Sequence, residues 1–163
     1  MDLQSQSPLT LCLSKITLAA GTTTTLSNTG TTVYAINGKA YSKAAMSNAA
    51  TPTTDAATGS AFVGVLRNYG CMFVVGFNAA GSLLAVQGEV APLDTSGNFI
   101  TAPGMPSGLP NDFCPVGYVI IKAGSTADNT TGWIFGTSNM SGVTGITYTF
   151  GDLVSLPGRP ITS

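Results

Sequence analysis

Histidine is absent from the 163 residues, which removes at once the usual general base and the commonest metal ligand. Charge is scarce as well: six Lys and Arg stand against seven Asp and Glu, 8% of the chain, where an ordinary soluble domain carries about 25%. A net charge of -1 with scattered basic residues gives no footprint for a phosphate backbone, so nucleic acid is not an expected partner. Long apolar runs are missing too. Gly, Thr, Ser and Asn interrupt each one before the 18 or so residues of a membrane helix, so no membrane partner is expected. The stretch Met1 to Pro8 has an acid at Asp2 and no basic residue, unlike the positive start and apolar body of a signal peptide, and synthesis in a cytoplasm is the expectation. Cysteine is limited to Cys12, Cys71 and Cys114. An odd number at wide spacing, flanked by apolar residues or proline, favours buried free thiols over a single disulfide.

What remains is bland and apolar. With 44% apolar residues and a mean hydropathy of +0.32, much of the exterior must be Thr, Ser, Asn, Gly or apolar side chain. A free protein usually carries more charge than this to stay monomeric, so the composition points to a component whose surface is partly covered by neighbours. The length is that of one domain, large enough to bury a core without staples.

Thr, Val, Ile and aromatics recur at short intervals with turn residues between them, the pattern of an all-β protein. Leu9, Leu11 and Leu13 alternate with polar or small neighbours, as do Ile16 and Leu18, predicting strands with one buried face. Thr31 to Ile36 and Lys39 to Ser42 flank Asn37-Gly38, the sequence of a type I′ hairpin turn. Ser42 to Ala50, rich in alanine, predicts a short helix ended by Pro52. Further strands are expected over Ala61 to Leu66, Cys71 to Phe77, Ser82 to Val90, Asn98 to Thr101, Val116 to Lys122 and Gly132 to Thr137. Asn78 to Gly81 and Asp94 to Gly97 read as turns, and Pro103, Pro106 and Pro110 as an extended crossover. In the last strand Ile146, Tyr148 and Phe150 face one way and Thr147 and Thr149 the other. The expected architecture is a single antiparallel β-sandwich, jelly roll or small β-barrel with at most two short helices. Residues 8–156 form that β-rich domain, and residues 1–7 and 157–163, dominated by proline and polar residues, form extended arms.

A search for chemistry finds no catalytic, cofactor-binding or metal-ligating residue to nominate, and the chain is not expected to be an enzyme. Asp55, Glu89, Asp94, Asp112, Asp128 and Asp152 are scattered without the spacing of a shared carboxylate site, and turn capping accounts for them. Asp94-Thr95-Ser96-Gly97-Asn98 lacks the further acids of a calcium loop and reads as an Asp-capped β-turn. The serines lie in neither a G-x-S-x-G nor an S-x-x-K sequence. Asn129-Thr130-Thr131 and Asn139-Met140-Ser141 match the glycosylation sequon, as a chain rich in Ser and Thr does by chance. Trp133, Tyr118 and Tyr148, with Phe150, would be the platform of a carbohydrate-binding module, although strand-face aromatics belong more often to the core.

From about Tyr34 to Leu153 the sequence resembles the capsid cement or decoration proteins of tailed bacteriophages. The likeness is carried by Ala35-Ile36-Asn37-Gly38-Lys39-Ala40-Tyr41, Phe77-Asn78-Ala79-Ala80-Gly81 and Leu93-Asp94-Thr95-Ser96-Gly97-Asn98-Phe99-Ile100. It continues through Pro103 to Pro110, Pro115-Val116-Gly117-Tyr118-Val119-Ile120-Ile121-Lys122, Trp133 to Thr137 and Gly145-Ile146-Thr147-Tyr148-Thr149-Phe150. These motifs are structural, so no catalytic residue carries over. The resemblance implies a β-rich virion structural protein on the outer surface of a capsid, with the major capsid protein as partner and a homo-oligomeric state, trimer before dimer. A head fibre, a tail or baseplate adaptor, and a lectin-like module are the alternatives.

Overall fold

The computed structural model describes residues 9–106 and 108–153. Its strands are β1 (Leu11–Cys12), β2 (Leu18–Ala20), β3 (Thr25–Asn28), β4 (Thr32–Ile36), β5 (Lys39–Lys43), β6 (Met46–Ala50), β7 (Tyr69–Phe77), β8 (Leu83–Gln87), β9 (Ala91–Pro92), β10 (Cys114–Ala123) and β11 (Ile146–Asp152). They build three antiparallel sheets, ordered β1-β4-β5, β2-β3-β6 and β11-β10-β7-β8, with β9 beside β7. None closes into a barrel, no helix occurs among the described residues, and the arrangement fits a β-sandwich. The expected arms, residues 1–7 and 157–163, lie outside the described residues.

The turn chemistry sets the register. Asn37 and Gly38 both hold positive φ, 52° and 78°, and the type I′ turn pairs Ile36 with Lys39 and Tyr34 with Tyr41. In the β7–β8 hairpin, Gly81 takes the left-handed position at φ 76° and donates its N–H to the Asn78 carbonyl at 2.9 Å. The Tyr34 hydroxyl reaches the same carbonyl at 2.9 Å, tying the first hairpin to the second.

β7 lies at the centre of its sheet. Its alternate residues Cys71, Phe73, Val75 and Phe77 are fully buried and join the main core with Val119 and Ile121 of β10. Phe73 stacks on Phe135 at 4.8 Å between ring centroids and meets Phe62 and Trp133 edge-on at 5.8 Å each, within the favourable range for aromatic pairs. On the opposite face Val74 and Val86 pack with Phe113 in a smaller cluster that Leu84, Leu153 and Ala56 adjoin. Buried Asn28 is satisfied: its amide donates to Thr32 Oγ1 at 2.9 Å and its Oδ1 accepts the Thr17 N–H at 3.3 Å.

Five sequence expectations are corrected. Ser42 to Ala50 is not helical: β5 runs to Lys43 on β4, and Met46 to Ala50 pairs with β3. Alanine's preference for helix is worth only tenths of a kcal/mol per residue, about what one sheet partner overrides, and so short a helix also bears the nucleation cost. Ala61 to Leu66 and Gly132 to Thr137 are not continuous strands but share one bridge, in which Val65 and Trp133 exchange both backbone hydrogen bonds at 2.8 and 3.0 Å. Positive φ at Gly132 and Gly136, 72° and 78°, breaks the extended run, and the Thr137 and Ser138 N–H groups both turn back to the Ile134 carbonyl. Asn98 to Thr101 reduces to a bridge between Phe99 and Leu93. The phase of the first strand is also inverted. Cys12 is fully buried while Leu9 is 66% exposed, because the register that sets Cys12 opposite Tyr34 turns both inward.

Candidate interaction surface

Four of the acids are spent on backbone. Asp94 Oδ1 accepts the N–H groups of Ser96 and Asn98, both at 2.8 Å, which is the capped turn expected of that sequence. Asp55 Oδ1 takes the Ala57 N–H at 2.8 Å and Asp112 Oδ1 the Ala79 N–H at 2.9 Å. Asp128 gathers the N–H groups of Thr131, Gly132 and Thr130, and these donors hold its carboxyl well below the usual range. A carboxylate so engaged caps a loop and has little lone-pair capacity left for a substrate proton. Among the described residues no three His, Cys, Asp or Glu side chains come together as a metal site.

The three thiols are free and buried, as their spacing suggested. Burial pushes Cys71 up to about 11, against the opposing hydrogen bond from Gln87, and Cys114 up to about 12; Cys12 is raised for the same reason. Thiols kept protonated in this way are poor nucleophiles.

The aromatics considered as a sugar platform do not form one. Trp133 is 2% exposed in the main core and donates Nε1–H to the Asn139 carbonyl at 3.0 Å. Tyr148 meets it edge-on at 6.0 Å, and its hydroxyl donates to the same carbonyl. Phe150 is half-buried against the core beside Tyr148, whereas Tyr118 points to the opposite face of the sheet, in register with Val74. A concavity beside the Asp94 turn, lined by Asn68, Leu93, Asp94, Gly97, Gly124 and Ser125, brings together only that capped carboxylate and neutral groups.

Sequence reading missed how the 99–113 stretch covers the central sheet. Phe99 lies over Gly70, and Phe113 over Gly76; a Cβ on either glycine would collide with the ring above it. Those glycines let the crossover approach the sheet backbone closely. The same stretch leaves Ile100 64%, Met105 58% and Leu109 41% exposed. Single exposed apolar residues are unremarkable; three on one proline-bearing crossover make it the candidate interaction surface. Their signal in the sequence was the pairing of apolar residues with prolines that forbid a ladder.

The fold and surface together define a class, an all-β antiparallel domain with capped acids, inert thiols and exposed apolar side chains on a crossover. Comparison of the chain with protein-family models, with curated proteins and with solved structures returned no match to any of them.

Proposed function

We propose that this chain is a virion structural protein, a non-catalytic capsid cement or decoration protein that binds the outer surface of a shell built by the major capsid protein and stabilises it. It is made in the bacterial host cytoplasm and ends on the virion as a homo-oligomer. The observation that carries the reading is the pairing of an antiparallel body, four of whose acids cap its own loops, with exposed Ile100, Met105 and Leu109 on one crossover. A protein that only adds contacts needs such a body and a repeated interface, and no reacting group. Binding the assembled shell but not its free subunits stabilises the shell by linkage, about 2.7 kcal/mol per site at a free concentration 100 times Kd. The lectin-like alternative loses its principal residue, since Trp133 is core.

The test adds purified chain to undecorated heads at low and high salt and measures occupancy by sedimentation. With six basic residues the interface is apolar and main-chain in character, so occupancy should persist in high salt. Replacing Ile100, Met105 and Leu109 together by serine should reduce it while leaving the urea midpoint unchanged, and deleting residues 1–7 or 157–163 should weaken it. Occupancy that collapses in moderate salt contradicts the proposal.

A further inference from the structure

The sheet edges of this chain are managed unequally. The β8 edge is covered: Ala56 donates its N–H to the Ala85 carbonyl, and the Gln87 amide exchanges two hydrogen bonds with Val63. β1 and β2 are two and three residues long. β5 carries Lys39 and Lys43 at its ends, and β6 holds Asn48 at φ 51° where its register with β3 shifts. Short strands, lysines and irregular backbone are the devices that stop a sheet edge from recruiting another strand. β11 has none of them. Its seven residues, Ile146–Asp152, follow β10 in one unshifted register with no lysine, proline or positive φ. Among the described residues no strand pairs with its outer side, where only the Ile146 N–H is bonded, to the Val143 carbonyl at 3.2 Å, and the Lys15 to Leu18 segment lies beside its Phe150 to Asp152 end.

The phase of the ladder fixes what that side presents. Gly124 N–H bonds the Gly145 carbonyl at one end of the β10–β11 pair, and Leu153 N–H bonds the Val116 carbonyl at the other. Alternate residues between them, Thr147, Thr149 and Gly151, therefore spend their main chain on β10. Tyr148, Phe150 and Asp152 turn their N–H and C=O groups outward. Thr147 and Thr149 are exposed on one face, and Tyr148 and Phe150 are half-buried on the other.

We propose that this edge docks a second copy of the chain, β11 pairing antiparallel with β11 about a two-fold axis through Thr149. The strand is complementary to itself in that register. Tyr148 falls opposite Phe150 of the second copy, and Phe150 opposite its Tyr148, so two aromatic pairs form on the core-side face and exchange the outward main-chain bonds. Thr149 faces Thr149 in a non-hydrogen-bonded pair, where side chains approach most closely. The only charge on the strand, Asp152, falls opposite Ile146 of the second copy, which sets the two carboxylates at opposite ends, about 20 Å apart at ~3.4 Å per residue. Other registers bring the like charges nearer or break the aromatic pairs. The pairing specifies the self-association contained in the functional reading, and its test uses purified protein without shells, so either can fail alone.

Sedimentation equilibrium on the full chain provides the test. T149K and T149E each place like charges directly opposite one another across the axis and should halve the wild-type mass. Mixing the two variants one to one should restore it, because only a second copy presents the complementary charge. T149C, nearly isosteric, should cross-link into a covalent dimer on mild oxidation, which the wild type with its buried thiols should not do, and this readout stands even if a charged variant folds poorly. A wild-type chain that is monomeric, a mass indifferent to both charged variants, a mixture that stays dissociated, or T149C that fails to cross-link overturns the proposal. Each of those results would assign the edge to a foreign strand, to the chain's own ends, or to solvent.

Discussion

The two faces of the central sheet are buried by different means. On the inner face Phe73, Phe77, Val119 and Ile121 are fully enclosed by side chains from the other two sheets and by the Phe62, Trp133 and Phe135 aromatic group. On the outer face Val74, Val86 and Phe113 form a small cluster, and the crossover lies close over three glycines, the Phe99 ring on Gly70, the Phe113 ring on Gly76 and the Gly104 carbonyl on Gly88. One face gains its stability from apolar volume, the other from close approach. The inner face therefore fixes the fold, while the outer face carries the segment that displays Ile100, Met105 and Leu109.

The comparison is broken most forcefully at its centre. Phe73→Ala removes a ring with no exposure and three aromatic neighbours, and should cost about 3–5 kcal/mol, seen as a large fall in the urea midpoint. Met72→Ala, one residue along on the outer face and only half-buried, should cost less than about 2 kcal/mol, because less apolar surface is lost. Equal losses would erase the distinction between the faces. Gly76→Ala drives a methyl into the Cys114 carbonyl and the Phe113 ring. Since the first obstacle is β10 backbone, about 1–3 kcal/mol of strain should appear, and a neutral result would show that neither β10 nor the Phe113 ring is held close at Gly76.

Two smaller effects depend on pH. Cys71 and Cys114 ionise in the unfolded chain near 9 but in the fold only at about 11 and about 12. Their contribution is complete below pH 9 and is lost as the pH rises toward the folded values. The urea midpoint should accordingly fall between pH 9 and 11, less so in Cys71→Ala, and thiol reagents should find three groups in denaturant but none in the native chain at neutral pH. The smallest effect belongs to exposed Asp128, whose carboxyl is held low by the Thr131, Gly132 and Thr130 N–H groups. Its contribution is present above the ordinary carboxylate range and is lost as pH falls below it. Wild type should exceed Asp128→Asn in urea midpoint at neutral pH and converge with it in acid.

The legible parts of the fold were those set by local chemistry. Asn37-Gly38 announced its turn because few other dipeptides accept positive φ twice, and Ile146 to Phe150 announced its faces by strict alternation. Illegible were segments whose partners lie far along the chain. The alanines of 44–50 carry no mark of β3, and Trp133 nothing to distinguish a single bridge to Val65 from a strand. The leucines at 9, 11 and 13 suggested a buried face that Cys12 occupies instead, because register is decided by Tyr34 across the ladder. For the surface, composition revealed that the acids were too dispersed to form a site. It held no sign that Gly70 and Gly76 would draw the crossover onto the sheet, since that depends on rings 29 and 37 residues away, at Phe99 and Phe113.

The central claim is that the chain covers a capsid lattice, and a reconstruction of undecorated heads incubated with the purified protein tests it most directly. The account predicts new density on the outside of the shell, repeated at equivalent lattice positions, with the 99–113 crossover turned toward the major capsid protein. Density confined to a single vertex or to the tail, or heads unchanged by saturating protein, would contradict it.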